Sequence, residues 1–370
     1  MRIVYLYPSL AIWGGIERVL VDKMNFLVRQ YGYDVYMITS DQGEHPIPYE
    51  LDERVHLMDL GIRFHLRYRY KIPYRYYKYL QQNRLYHQKL KEQLQKIQPD
   101  VIVSTSYQNL YSLLRCKGSI PLIVESHKNF IHTDTMVQQI RTLFNNYWIG
   151  KAEAVVTLTN GDADSWHRVS NSVHVIPNLV SLNDTGHYSD NTEKRVLFVG
   201  RFAAQKGIKD LFAIWQQVYP QFPDWHLDLY GEGELWEKYK QKADTLNMNI
   251  VLHKPTSQIF KAYSNSSILA LTSIYEPFGL VMPEAMSYGL PVVAFDCPYG
   301  PASIVTDGED GFLIAHRDRQ KFADKLCLLM SDLEFRQQIG KKAIVSSQRF
   351  TADEIMPMWK QLFEQLTSLS

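Results

Sequence analysis

Cysteine is scarce in this chain of 370 residues: Cys116, Cys297 and Cys327 are odd in number, widely spaced and form no Cys-x-x-Cys pair. That argues against a disulfide framework and a structural zinc site, and a reducing cytoplasm fits. No apolar run approaches the ~18 residues of a membrane span. The opening Met-Arg-Ile-Val-Tyr-Leu-Tyr-Pro has a short apolar stretch, is broken by Pro8 and lacks a small-residue cleavage site. It reads as a strand, so the expectation is a protein neither exported nor membrane-spanning. An excess of one charge is also missing: 40 Lys and Arg face 39 Asp and Glu, a net +1, which argues against a nucleic-acid partner. Short repeats and low-complexity tracts are absent. With 45% apolar and 21% charged residues the composition is that of a soluble globular protein.

The chain is too long for one ordinary core, and its length suggests two domains of roughly 150–200 residues. Short β-branched runs alternate with helical periodicity. Strands are expected at 3–7, 34–39, 55–60, 100–105, 122–125, 154–158 and 174–176, and again at 196–200, 226–230, 250–253, 268–272, 292–295 and 312–314. After the Gly14-Gly15 loop, Ile16, Val19, Leu20, Met24, Leu27 and Val28 line one helix face. This alternation predicts an α/β fold, two doubly wound Rossmann-like domains with parallel sheets covered on both faces. The Asn-, Ser- and Asp-rich stretch 177–192 is the best linker. The predicted division is 1–180, 181–350 and a terminal helix at 351–370. Ligands of such folds sit at the carboxyl ends of strands, so a cleft between facing domains is the expected site.

The terminal segment opens with the capping box Thr351-x-x-Glu354, after which Ile355, Met358, Trp359, Leu362, Phe363 and Leu366 follow at helical spacing. Pro357 falls inside the pattern, and a kink is expected there. A helix crossing from one domain to the other and a plain helix with an early break both fit.

The most informative stretch is Tyr275-Glu-Pro-Phe-Gly-Leu-Val-Met-Pro-Glu-Ala-Met-Ser-Tyr-Gly-Leu-Pro-Val-Val-Ala. Pro277 suits a first helical turn and Gly279 permits close backbone approach. The amides of Phe278, Gly279, Leu280 and Val281 would then be donors at the positive end of a helix, ready for phosphate. Glu276 and Glu284 would lie on one side of that helix, about two turns apart. The plain alternative is a helix cap and a surface acid. This Glu-x7-Glu pattern, followed by Ala-Met-x-x-Gly-Leu-Pro-Val-Val-Ala, resembles the donor-site motif of retaining glycosyltransferases of family four, which have the GT-B fold. Asp-Cys-Pro-Tyr-Gly-Pro-Ala-Ser-Ile-Val and Asp-Gly-Glu-Asp-Gly-Phe-Leu-Ile, which follow, look like that family's next two loops. The match runs from Gly14 to the final helix and is densest over 196–314.

The resemblance implies roles elsewhere. In Phe198-Val-Gly-Arg-Phe-Ala-Ala-Gln-Lys-Gly207, Arg201 and Lys206 take the place of the family's diphosphate-binding pair; a fork of donors beside a point charge suits two linked phosphates. Gly15 is the candidate for backbone approach to the donor, and Glu17 for a supporting or capping role. His127, in Glu125-Ser126-His127 after a strand, becomes the catalytic candidate, hydrogen-bonding the donor sugar or steadying the reacting centre. Glu276 would orient the transferred sugar and Glu284 hold the ribose. Gly231, in Tyr230-Gly-Glu-Gly-Glu234, and His253-Lys254 border the expected nucleobase region; the family usually has Gly where His253 stands. Asp162-Ala-Asp164 spells the metal-binding Asp-x-Asp of the other major glycosyltransferase fold, but at a helix start it reads as structural.

Charge is distributed unevenly. Residues 1–180 carry 21 cations against 16 acids, and the excess sits at 63–91, which holds nine Lys or Arg, seven Tyr and no acid. Arg67, Arg69, Lys71, Arg75 and Lys78 interleave with Tyr68, Tyr70, Tyr74, Tyr76 and Tyr77. Cations and tyrosines together suit an anionic membrane surface. Single-stranded RNA would suit the same alternation, though nothing else supports it, and a solvated helix with tyrosines packed inward is the plain alternative. The implied protein is a retaining transferase needing neither metal nor other cofactor. It moves a hexose-type sugar from a nucleoside-diphosphate donor, UDP-linked by preference, to a lipid-linked or oligosaccharide acceptor at the inner face of the cell membrane. A non-catalytic nucleotide-sugar-binding partner and a GT-B epimerase or phosphorylase are the alternatives.

Overall fold

The computed structural model describes residues 1–107, 109–127, 136–183 and 186–368, with side chains described outside 136–141. The chain forms two compact units, Met1–Leu179 with Ala352–Ser370, and Val180–Thr351.

The first unit is built on β1 (Arg2–Tyr7), β2 (Asp34–Thr39), β3 (His56–Asp59), β4 (Val101–Ser104), β5 (Leu122–Glu125), β6 (Ala154–Thr157) and β7 (Val173–Val175). They pair in parallel in the order β3-β2-β1-β4-β5-β6-β7. The central strands read Val-Ile-Val-Ser, Leu-Ile-Val-Glu and Ala-Val-Val-Thr and are buried at every residue, as strands covered on both faces must be. Side chains alternate between two cores. Ile3, Tyr5, Val101, Val103 and Ile123 face one, against α1 (Gly15–Tyr31) and the C-terminal helix. Val4, Leu6, Ile102, Leu122 and Val124 face the other, against α2 (Tyr74–Ile97) and α3 (Leu110–Cys116). Two further helices, α4 (Met136–Ile149) and α5 (Asn160–Trp166), complete the alternation.

The second unit has six parallel strands, β8 (Arg195–Val199), β9 (His226–Tyr230), β10 (Ile250–His253), β11 (Ile268–Leu271), β12 (Val292–Asp296) and β13 (Gly311–Ala315), ordered β10-β9-β8-β11-β12-β13. Its helices are α6 (Ile208–Val218), α7 (Trp236–Leu246), α8 (Ile259–Ser264), α9 (Val281–Ser287), α10 (Pro301–Ile304), α11 (Arg319–Ser331) and α12 (Leu333–Ser347). Strand order reverses between β8 and β11 here and between β1 and β4 in the first unit. Loops leaving the carboxyl ends of strands at such reversals are where doubly wound folds bind ligands.

The last helix, α13 (Ala352–Ser368), packs in the first unit against α1 and β4 and runs as one helix through Pro357. Its buried face is Ile355, Met356, Trp359, Leu362 and Phe363, while Met358, read from periodicity as inward, is exposed. Burying five such side chains contributes on the order of 10 kcal/mol of transfer free energy.

Candidate active site

In the second unit the loop after β8 and the loop after β11 are locked together. Gly207 closes the first loop with φ of 62°, and a Cβ there would lie 1.8 Å from the Thr272 carbonyl oxygen, so only glycine fits. Thr272 Oγ1 donates to the Lys206 and Gly207 carbonyls at 3.2 Å, and the Ile274 amide donates to Gln205 at 2.8 Å. This clamp brings Lys206 Nζ to 2.5 Å from Glu276 Oε2, which also accepts from Ser273 Oγ at 3.1 Å. Arg201 is exposed and has no ion-pair partner among the described residues. The Glu276 backbone is fixed as well: its amide donates to Pro298, and its carbonyl accepts from Tyr299 and Gly300. Beside it the Cys297 thiol is pushed up to about 12, by burial and then by the neighbouring Glu276 carboxylate.

Here the helical expectation is corrected. Residues 276–280 are not helical, and α9 begins only at Val281. Gly279 has φ of 92°, outside any right-handed helix, and Glu276 lies in a β-bridge with Tyr299. Pro277 therefore does not occupy a first helical turn, and Glu276 and Glu284 are not two turns apart on one helix. The donor amides survive this change. The N–H groups of Phe278, Gly279, Leu280 and Val281 take no acceptor among the described residues, because the loop bends away before a helical ladder forms. Glu284, within α9, is buried and accepts from the Tyr263 hydroxyl at 2.6 Å.

The glycines after β9 serve packing. A Cβ on Gly231 would lie 2.0 Å from the Gly200 carbonyl oxygen, and one on Gly233 2.6 Å from that of Phe202, so this turn lies directly on the Arg201 loop. His253, at the end of β10, directs its ring sideways: Nε2 is 2.6 Å from Asp228 Oδ1, and the ring stacks on Tyr230 at 4.3 Å. Asp228 also accepts from Arg195 at 2.8 Å. With Lys254, which lies over the Trp236 ring, His253 lines a groove of about 850 Å³.

In the first unit Gly14 caps α1, Gly15 is its first residue, and Tyr49 donates to the Gly14 carbonyl at 3.0 Å. Glu17 is buried and accepts from Tyr7 at 2.8 Å. His127 follows β5 and is buried beside Glu125, whose Oε1 is 3.2 Å from Nε2. Glu125 also meets Lys23 Nζ at 2.6 Å. Burial raises the Glu125 carboxyl, but Lys23 and then His127 outweigh it and hold it at about 2. Burial in turn pulls the Lys23 ammonium below its ordinary value against the attraction of Glu125. The Asp162 amide donates to the capping Thr159 Oγ1, and the Asp162 carboxylate accepts from Thr157 and Trp166. It is structural, as its helix-start position implies.

The basic segment divides into a 3-10 turn (Phe64–Arg69) and the start of α2. Tyr68, Tyr70, Tyr74, Tyr76 and Tyr77 are exposed with Ile72, and Tyr86 is the tyrosine of this stretch that is buried. Arg67 lies over Tyr79 at 4.6 Å, and Arg75 over Tyr68 at 5.4 Å. The inward-packed alternative therefore fails for most of these rings. No described helix is long and apolar enough to cross a membrane.

Sequence reading missed Lys23, Ser273, Tyr263 and Asp228. Lys23 carried a signal: it stands seven residues after Ile16, inside the apolar stripe of α1, where the face calls for a hydrocarbon.

Comparison with known proteins follows the same division. Residues 13–184 match the model of Glycosyltransferase Family 4, and residues 183–345 match that of Glycosyl transferases group 1. The amylovoran biosynthesis glycosyltransferase AmsD of Erwinia amylovora is 27% identical, covering 98% of this chain and 99% of AmsD. A Campylobacter jejuni alpha-1,4-N-acetyl-D-galactosaminyltransferase, named for an acceptor of GalNAc residues on diNAcBac-PP-undecaprenol, is 23% identical over 99% of both chains. Among solved structures, Staphylococcus aureus TarM, crystallised as a variant with fondaparinux, alpha-GlcNAc-glycerol and UDP, superposes with a TM-score of 0.79 at 16% identity, covering 98% of this chain and 99% of TarM. That likeness shows the GT-B fold. With both halves matched in order across nearly the whole chain, this protein belongs to the GT-B glycosyltransferases that join a family 4 amino-terminal half to a group 1 carboxy-terminal half.

Proposed function

We propose that this glycosyltransferase moves a hexose-type sugar from a UDP-sugar to a glycan acceptor carried on a lipid, with retention of anomeric configuration and without a metal ion, in the assembly of a cell-surface glycan. The observation that carries the donor half is the clamp of Lys206 on Glu276 beside four loop amides that take no acceptor among the described residues, at the strand-order reversal of the second unit. Arg201, Lys206 and Glu276 together sum to a single positive charge, less than a diphosphate needs. The amides of Phe278 to Val281 supply the remainder as preorganised dipoles, stabilising the charge that develops on the leaving diphosphate. Glu276 orients the transferred sugar, Glu284 receives the ribose hydroxyls, and Gly15 gives backbone approach. His127 contacts the donor sugar or steadies the reacting centre. Gly231, with the main chain at His253 and Lys254, borders the base. On retention, a donor phosphate oxygen takes the acceptor hydroxyl's proton as the new bond forms on the face the nucleotide leaves.

UDP as donor nucleotide is supported by the ligand in the TarM structure, a lipid carrier by the acceptor named for the Campylobacter enzyme, and a cell-surface product by the amylovoran pathway named for AmsD. The exposed tyrosines, with exposed Arg69 and Lys71 and half-buried Arg67, Arg75 and Lys78, fit attachment to an anionic membrane at its cytoplasmic face. The test is transfer from a panel of UDP- and GDP-sugars to a lipid-extract acceptor in EDTA, with the anomeric proton coupling of the product read by NMR. One UDP-sugar giving an α-linked product supports the proposal. Inversion, or transfer restored only by a divalent cation, refutes the mechanistic part.

A further inference from the structure

Three charged or polar groups lie deeper in the first unit than packing requires. Lys23 and Glu125 are each 1% exposed and His127 8%. Lys23 reaches from the middle of α1, and its Nζ lies 2.6 Å from Glu125 Oε1, 4.0 Å from the Trp359 ring centroid and 5.5 Å from that of Tyr5. Trp359 belongs to α13, so the last helix of the chain forms one wall of this pocket. Each buried ion costs several kcal/mol of desolvation, and apolar side chains of similar volume commonly stabilise a core as well or better. A core that needed only packing would gain nothing from Lys23 and Glu125. What the pair supplies is a fixed anion 3.2 Å from the buried Nε2 of His127.

We infer that Glu125 is a positioning residue for His127: held ionised by Lys23 under the roof of Trp359, it keeps a proton on Nε2 and so leaves Nδ1 as the hydrogen-bond acceptor of the neutral ring. The inference rests on the reading in which His127 acts at the reaction site, and it gives that residue a defined chemical form. An Nδ1 lone pair accepts from a sugar hydroxyl; with the other tautomer it could not. The groups that face Glu125 are consistent with this. Lys23 from α1 is cationic, Tyr5 from β1 is held protonated by burial and then by Glu125, and Tyr107 is likewise kept neutral by burial. Among the described residues Lys23 is the cation in contact with the carboxylate. The aromatic walls matter because an ammonium with one carboxylate contact still has two N–H groups to satisfy, and the Trp359 face offers the nearer substitute.

The test uses the full chain labelled with ¹⁵N-histidine, with the His127 resonances identified by their loss in His127→Ala. Long-range ¹H–¹⁵N correlation is expected to show the Nε2–H tautomer in the wild type. In Glu125→Gln, which keeps shape and loses the charge, that preference is expected to disappear, with kcat for sugar transfer falling on the order of 10²-fold and the donor KM little changed. Because single removal of a buried charge can unfold the unit, Lys23→Met/Glu125→Gln is made alongside. This neutral pair is expected to melt like the wild type while keeping the low kcat and the altered tautomer. Glu125→Gln retaining the Nε2–H tautomer, or the double variant recovering full transfer together with its stability, would overturn the inference. His127→Ala with unchanged transfer would instead refute the role given to His127, and the NMR result would still decide whether Glu125 sets its proton.

Discussion

Lys206→Ala separates the two tasks assigned to that lysine. Its Nζ is 2.5 Å from Glu276 Oε2, and the two side chains are 17% and 8% exposed. Without the ammonium, the Glu276 carboxylate keeps the Ser273 hydroxyl as its described side-chain donor. Breaking a fully buried pair costs about 3–5 kcal/mol, and the partial exposure of Lys206 reduces the expected loss to about 2 kcal/mol. In a domain of this size that lowers Tm by roughly 4–8 °C. Catalysis loses more, because a preorganised charge aimed at a leaving group is worth about 10²–10³ in rate, or roughly 2.7–4 kcal/mol. The assay pairs thermal melts with UDP release from the preferred UDP-sugar, on Lys206→Ala, Glu276→Gln and the double variant. The double variant is expected to recover the melting temperature, since no unpaired charge remains, and to stay slow. Recovery of transfer along with stability would show that Lys206 only neutralises Glu276 and does not serve the diphosphate.

Other outcomes follow from the same geometry. Gly207→Ala places a methyl 1.8 Å from the Thr272 carbonyl oxygen at φ of 62°, so a loss of at least ~2 kcal/mol in urea unfolding and weaker donor binding are expected. Trp359 is 1% exposed, and Trp359→Ala should cost about 3–5 kcal/mol in the same measurement. Glu125 is held at about 2 in the fold against an ordinary value of 4.5. A depressed folded value means its stabilisation is present above about 4.5 and lost as pH falls toward about 2, so wild type should lose more stability over that window than Lys23→Met/Glu125→Gln. Reversing the charges of Arg67, Lys71, Arg75 and Lys78 to Glu should abolish sedimentation with phosphatidylserine vesicles while leaving transfer to a soluble acceptor unchanged.

Much of the fold was legible because the signals were local. Strands 34–39, 122–125, 226–230 and 250–253 were read to the residue, since each is an apolar run punctuated by glycine, proline or polar turns. The loops of the candidate donor site carried a signal of a different kind: Arg201, Lys206 and Glu276 follow strand ends, and Glu284 stands in the helix after them, within one dense motif. What the sequence concealed depends on backbone choices and contacts distant along the chain. Gly279 adopts a positive φ, which turned an expected helical spacing of Glu276 and Glu284 into a loop followed by a short helix. Pairing of Lys23 with Glu125 spans 102 residues, and Trp359 arrives from the far end of the chain, so periodicity could flag Lys23 as out of place without naming its partners. Met356 is buried and Met358 exposed because the buried face of α13 centres on Trp359, from which Met356 lies about 60° around the helix and Met358 about 100° to the other side.

The central claim is that the loops at 201–206 and 276–281 hold the diphosphate of a nucleotide sugar. Isothermal titration of the full chain with UDP in EDTA, run beside Arg201→Ala and Lys206→Ala, tests it most directly. Saturable binding by the wild type, weakened at least tenfold in each variant with the fold intact by circular dichroism, is the expected result. Equal affinity in all three proteins, or no binding of any nucleoside diphosphate, would contradict it.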